Sequence, residues 1–196
     1  MRYMHERQKS KVGAVIGLVG YLGSGKTTIA DKACNNSPLL SIRFGLSDPI
    51  IDMLSAMGVP CNIVRDKARW DEPLPILGGK TLRHAARTLG TQWGRRYIDQ
   101  DVWTRIALEK AKAWSERGWL VIIDNVRFIS EFRNMVALNA TMIAVKRPGL
   151  KIDLSHESEQ EIEGLQAMCD KIIMNDDGRL KTSVARLNEI MLDASR

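Results

Sequence analysis

Residues 12–28 read Val-Gly-Ala-Val-Ile-Gly-Leu-Val-Gly-Tyr-Leu-Gly-Ser-Gly-Lys-Thr-Thr: an apolar run, a glycine loop and the start of a helical pattern. The spacing Gly20-x-x-x-x-Gly25-Lys26-Thr27 is that of a phosphate-binding loop. Gly20, Gly23 and Gly25 can adopt positive φ and let backbone N–H groups approach an anion with no Cβ in the way. A helix opening near Gly25 adds unpaired amides and the positive end of its dipole, and Ser24 and Thr28 complete the cradle. Lys26 is the expected partner of β- and γ-phosphate oxygens, and the Thr27 hydroxyl the expected magnesium ligand. Four fixed positions match by chance in such a chain roughly one time in a hundred, so nucleotide binding is the working expectation and ATP with Mg²⁺ the expected cofactors.

The pattern continues outward from this loop. Apolar runs at 39–44, 119–124, 141–145 and 171–174 read as further strands, separated by helical periodicities. Ser47 or Asp48 can cap a helix over 49–57, with Pro49 in its first turn. Residues 58–79, rich in Pro and Gly, read as an inserted or mobile region. The pattern from Thr81 through Leu89 predicts a helix that stops at Gly90, and Val102–Arg117 predicts another. Ser130 begins a helix, and the chain closes with one carrying Leu180, Val184, Leu187 and Met191. Strands alternating with helices predict an α/β fold of three layers, α/β/α, with a five-stranded, mostly parallel sheet. Ligands of such sheets bind at the carboxyl ends of the strands.

The chain has 196 residues and a formal net charge of +6, enough for one α/β domain with a small inserted region. Between Arg65 and Arg117 there are twelve Lys/Arg against seven Asp/Glu. Without aromatic interleaving, this surplus suits small phosphorylated molecules better than nucleic acid. No apolar stretch approaches the roughly 20 residues of a membrane span. The basic residues 1–11 read as a loose tail without a signal segment, and a cytoplasmic location is expected. Cys34, Cys61 and Cys169 form no metal or disulfide pattern and read as core thiols.

Asp124, after an apolar strand, has the position of a magnesium-holding carboxylate, although a strand-end aspartate can equally cap the next turn. Arg127 and Arg147 lie just past two strand ends, where they could meet a transferring phosphoryl group or simply be surface arginines. Arg83 and Arg87 are i,i+4 neighbours that could clamp an anion or form a solvated face. His84 and His156 lack partners for a triad or metal set. Trp93 and Trp103 read as core or cleft walls.

Taken together, the chain resembles the bacteriophage deoxynucleoside monophosphate kinases of the P-loop NMP-kinase superfamily. The resemblance rests on the phosphate loop, Phe44-Gly45-Leu46-Ser47-Asp48-Pro49, Thr81-Leu82-Arg83 leading to Leu89-Gly90-Thr91-Gln92-Trp93-Gly94-Arg95, Trp103, Val126-Arg127-Phe128 with Glu131, and His156-Glu157-Ser158-Glu159. It implies transfer of the ATP γ-phosphoryl group to a deoxynucleoside 5′-monophosphate. About 45–103 would be the monophosphate-binding region, with Phe44, Asp48, Lys67, Arg83 and Arg87 facing the acceptor. Thr91, Gln92, Arg95, Trp103 and Glu131 would join them. About 146–158 would be the lid, and Asn175 to Gly178 would lie near the adenine. The sequence departs from the family in having Asn125 where Asp is usual, with the carboxylate at Asp124, and in Arg87 and Gln92 where Gln and Glu are usual. Base preference is therefore not carried over. Lys26, Asp124, Arg127 and Arg147 are the expected catalytic residues. No stable nucleic-acid complex and no membrane association are expected, host cytoplasm is the setting if the protein is viral, and a homodimer is left open. The rivals are a dephospho-coenzyme A kinase, which shares the loop and the adenine segment, and a nucleic-acid-dependent P-loop ATPase, which the pI near 9.4 would suit.

Overall fold

The computed structural model of the protein describes residues 13–154, 157–176 and 178–195. Residues 1–11, His156 and Asp177 lie outside the described residues, as do the side chains of Glu157 and Ser158. Five strands form one sheet: β1 (Val15–Val19), β2 (Ser41–Phe44), β3 (Leu120–Val126), β4 (Thr141–Lys146) and β5 (Lys171–Met174). Their order is β2-β3-β1-β4-β5, and all the ladders are parallel. Gly45–Leu108 makes one compact unit, and the described residues before and after it make the other.

The sheet unit is an α/β/α sandwich because its strands are apolar on both faces. On one face Ile16, Leu18, Ile122, Ile143, Val145 and Ile173 pack against helix α1 (Lys26–Asn36) and the C-terminal helix, Leu180–Ala194. The contacting side chains are Ile29, Ala30 and Ala33 of the first, and Val184, Leu187, Ile190 and Met191 of the second. The other face receives the helices Ile129–Ala137 and Ile162–Ala167. There Gly17 leaves room for Met142 and Met135, whose atoms would lie 2.7 to 2.9 Å from an added Cβ.

Strand β3 is longer than the sequence suggests and is bulged. Gly17 pairs with Ile123 and Val19 with Val126, so β3 advances three residues where β1 advances two. Asp124 therefore lies within the strand rather than at its carboxyl end. A bulge of this kind re-aims the side chains beside it.

The second unit is helical. It contains α2 (Asp48–Ala56), α3 (Cys61–Val64), two 3₁₀ turns (Lys67–Asp71 and Pro75–Leu77), α4 (Leu82–Arg87) and a π-helical segment (Thr88–Ile98). The first turns of α5 (Val102–Ser115) complete it. Ile50, Leu54, Val59, Ile63, Leu74, Leu82 and Trp103 form its core. Residues 58–79 are thus folded onto that core. Ser47 precedes α2 without a side-chain cap, and Asp48 Oδ2 instead accepts the Gly45 N–H at 2.9 Å.

The expected stop at Gly90 does not occur. The chain runs on in π geometry, with an i→i+5 bond from Asp99 N–H to Gly94 O at 2.9 Å. The reason is packing: Trp103 Nε1 donates to Gly90 O at 2.8 Å, and Gly94 is where the indole lies against the backbone. Both glycines serve close approach rather than termination. Long π segments are rare and need tertiary support, which Trp103 supplies here.

The cysteines also differ from expectation, since Cys61 is exposed while Cys34 and Cys169 are half-buried. Burial pushes the Cys34 thiol up, and the Cys169 thiol up to about 12. A thiol reagent is therefore expected to label Cys61 first in the native protein, with the other two reacting more slowly until the protein is unfolded, as peptide mapping would show.

Candidate active site

The phosphate loop leaves β1 at Gly20 and enters α1 at Lys26. Gly23 and Gly25 have φ of 83° and 92°, a left-handed conformation that disfavours any side chain with a Cβ. Gly25, which precedes α1, has no side chain with which to cap it, and the first turn of a helix is where backbone amides can meet an anion. Lys26 is only 6% exposed. Its Nζ donates to Gly20 O at 2.6 Å, Tyr21 O at 2.8 Å and Ser24 Oγ at 3.3 Å. The loop folds around the ammonium because its carbonyls need a donor. Thr27 is half-buried and Thr28 exposed on the first turn.

Several predicted residues converge on this loop. Arg147, just past β4, donates to Gly23 O at 3.1 Å. Asn175, just past β5, is 8% exposed and donates through Nδ2 to Ser24 O at 2.8 Å. Its Oδ1 accepts from Ser183 Oγ at 3.2 Å, and its backbone N–H donates to Lys146 O at 2.8 Å. A Cβ on Gly25 would collide with that amide. Asn175 thus braces the loop.

Arg127 reaches the loop through Glu159 of the short helix Glu157–Gln160. Its Nη1 donates to Glu159 Oε1 at 2.7 Å, and Glu159 Oε2 accepts the Leu22 N–H at 2.8 Å. Glu131 Oε2 takes the N–H groups of Arg127 and Phe128 at 2.8 and 3.2 Å, fixing the start of the helix Ile129–Ala137 from its third position.

Asp124 is buried beside this loop's helix. Its Oδ2 lies 3.4 Å from Arg43 Nη1, and Arg43 Nε donates to Asp31 Oδ1 of α1 at 2.5 Å. Arg43 therefore ties Asp124 to the α1 face of the sheet, while Asn125 is half-buried. No group of three or more His, Cys, Asp or Glu is arranged to hold a metal among the described residues. Thr27 and Asp124 offer hard oxygen donors that fit Mg²⁺, which keeps most of its shell as water and phosphate oxygens.

A cavity of about 260 Å³ opens beside the loop, lined by Tyr21, Ser24, Arg147, Leu150, Ile152 and Met174 among others. Phe44 is buried at the end of β2, with Lys110 Nζ 5.4 Å from its ring centroid.

The remaining predicted residues belong to the helical unit. Arg83 is engaged by Asp71 at 2.7 and 3.0 Å and lies 5.9 Å from the Trp70 ring. Those hydrogen bonds hold the Asp71 carboxyl below its ordinary value, with Arg87 adding its charge. The expected Arg83–Arg87 clamp thus already faces a carboxylate. Lys67, Arg87, Thr91 and Gln92 are exposed and Arg95 is half-buried. Trp103, 4% exposed, is core, whereas Trp93 is 44% exposed and packs 6.0 Å from it, centroid to centroid. Sequence reasoning assigned no role to Glu159, Arg43 or Ser183. A charged residue inside an apolar parallel strand was a signal for Arg43, and the His156–Glu159 motif was one for Glu159.

A parallel five-stranded sheet and a glycine loop feeding α1 define a protein of the P-loop α/β/α fold. In solved structures the chain is similar to shikimate kinase from Aquifex aeolicus, with a TM-score of 0.54 and 9% identity, covering 91% of this chain and 96% of that one. It is likewise similar to shikimate kinase from Acinetobacter baumannii in complex with shikimate, with a TM-score of 0.50 and 12% identity, covering 93% and 95%. At such identities the likeness shows the fold alone. The sequence model of deoxynucleotide monophosphate kinase matches residues 78–186, more than half of the chain, and the protein belongs to that family. A protein of Acanthamoeba polyphaga mimivirus, provisionally described as a deoxynucleotide monophosphate kinase, is 26% identical over 172 residues, covering 82% of this chain and 88% of that one. No helix among the described residues is long and apolar enough to cross a membrane.

Proposed function

We propose that the protein transfers the γ-phosphoryl group of ATP to the 5′-phosphate of a deoxynucleoside monophosphate, giving dNDP and ADP. The observation that carries this reading is the convergence of Lys26, Arg147 and the Arg127–Glu159 pair on one phosphate loop in a chain of this family. The loop amides and Lys26 hold the β- and γ-phosphates, with Lys26 turning from its own carbonyls to the ligand. Thr27, with Asp124 through water, would hold Mg²⁺, which would supply charge neutralisation at the transferring group. An acceptor phosphate oxygen forms the new P–O bond as the bond to the β–γ bridging oxygen breaks, and ADP leaves with the electron pair. The acceptor is already anionic at neutral pH, so no general base is needed.

Arg127 and Arg147 offset the charge spread over the equatorial oxygens. The segment that begins at Lys146 and carries Arg147 acts as the lid and excludes water. The cavity beside the loop takes the adenine, for which its largely apolar lining is suited. Acceptor binding falls to Asp48, Lys67, Arg87, Thr91, Gln92 and Arg95, with Arg83 exchanging Asp71 for the acceptor. The motifs support a likeness to the bacteriophage members of the family, and a reaction on free nucleotides suits the cytoplasm of the cell that holds them. With ATP and Mg²⁺, each dNMP is expected to raise ADP formation well above the rate without acceptor, in a coupled assay run against a panel of dNMPs and NMPs. Stimulation by DNA but by no mononucleotide, or by dephospho-coenzyme A alone, would overturn the assignment.

A further inference from the structure

Glu159 is a carboxylate placed where a triphosphate-binding loop should least tolerate one. It is 5% exposed, and a buried negative charge beside a polyanion site carries both a desolvation cost and a like-charge repulsion. The structure compensates it with two donors from distant parts of the chain. Oε1 takes Arg127 Nη1 at 2.7 Å, 32 residues away, and Oε2 takes the backbone N–H of Leu22 at 2.8 Å, 137 residues away. The next carboxylate on the same segment, Glu161, takes the Ile129 N–H at 2.7 Å. One short acidic stretch thereby joins the tip of the phosphate loop to the turn that follows β3.

The geometry points to Glu159 as a positioning residue for phosphoryl transfer, one that fixes the Arg127 guanidinium against the phosphate loop. Arg127 is held at both ends, by Glu131 Oε2 on its backbone N–H and by Glu159 Oε1 on its side chain. A guanidinium ion-paired at one nitrogen has its position restricted, while its other donors stay on the fork. Glu159 also occupies the Leu22 amide, so that amide contributes to the loop's shape rather than to ligand binding. Nothing in this role requires Glu159 to touch a nucleotide; it acts through Arg127. The inference rests on the reading of Arg127 given above.

Glu159→Gln keeps an oxygen for the Leu22 N–H and removes the charge that holds Arg127. Its kcat is expected to fall by about tenfold or more with KM for ATP within about threefold, as for misplacement of a group that acts in the transition state. Its melting midpoint should stay close to that of the parent protein. Added guanidinium ion should restore turnover to Arg127→Ala but not to Arg127→Ala/Glu159→Gln, because only the former keeps the carboxylate that would seat it. The double variant should lose no more than Arg127→Ala alone. If Arg127→Ala is impaired while Glu159→Gln turns over normally, or if guanidinium rescues both equally, the role of Glu159 is wrong and that of Arg127 stands. If Arg127→Ala turns over normally, the reading of Arg127 fails and takes this inference with it.

Discussion

Lys26→Ala is expected to lower phosphoryl transfer by about a thousandfold, comparable with loss of a principal donor to the charge that develops in a transition state. The side chain that would neutralise the β- and γ-phosphates is already inside the loop, bound to Gly20 O, Tyr21 O and Ser24 Oγ. Its removal therefore has a second consequence. Gly20 O loses its ammonium partner, and a buried acceptor left unsatisfied costs about 1–3 kcal/mol, whereas Tyr21 O keeps the Ser24 N–H at 3.1 Å. The variant should melt at a lower temperature than the parent, whereas a solvated loop lysine would leave the melting midpoint unchanged. Turnover in a coupled ADP assay and a thermal melt on the same preparation read the two effects separately. Activity within tenfold of the parent would show that the loop does not grip the transferring phosphate.

Gly94→Ala is expected to be the most damaging single methyl group in the helical unit. An added Cβ would run into the Trp103 ring at three of its atoms, including Nε1. That indole is 4% exposed and donates its N–H to Gly90 O, so it has no direction in which to yield without breaking the bond. Overpacking of this kind costs about 1–3 kcal/mol, and Trp103 emission should shift as the ring moves. Gly90→Ala is the informative contrast. Gly90 does not have positive φ, and its Cβ would meet only the Ile50 Cδ1 methyl at 3.0 Å, the movable end of a side chain. The intrinsic helix preference of alanine over glycine, about 1 kcal/mol, works against that contact, and the net change should be small. Equal damage from both substitutions would mean that Trp103 does not hold the π segment.

The two variants probe opposite kinds of legibility. Gly20 to Thr27 could be read directly, because an anion-binding turn needs positive φ, bare amides and a lysine within a few residues of one another. Those requirements are local, and the observed φ of Gly23 and Gly25 meets them. The strands were legible for the same reason, since short apolar runs buried on both faces admit few other conformations. Gly90 was misread because the rule that glycine ends helices describes an isolated chain. Here a tryptophan thirteen residues on uses the missing side chains as a seat.

The sequence by itself determined the parallel α/β frame, the phosphate loop and its lysine, and the resemblance that led to the family, since all are carried by local residue order. Only the tertiary structure decided that Lys26 is buried, that a bulge sets Asp124 inside β3, and that Asn175 and Glu159 brace the loop. These depend on hydrogen bonds spanning 151 and 137 residues in the case of Asn175 and Glu159. No local pattern encodes such pairs. They arise because buried carbonyls, amides and carboxylates must each find a partner once the apolar strands have collapsed.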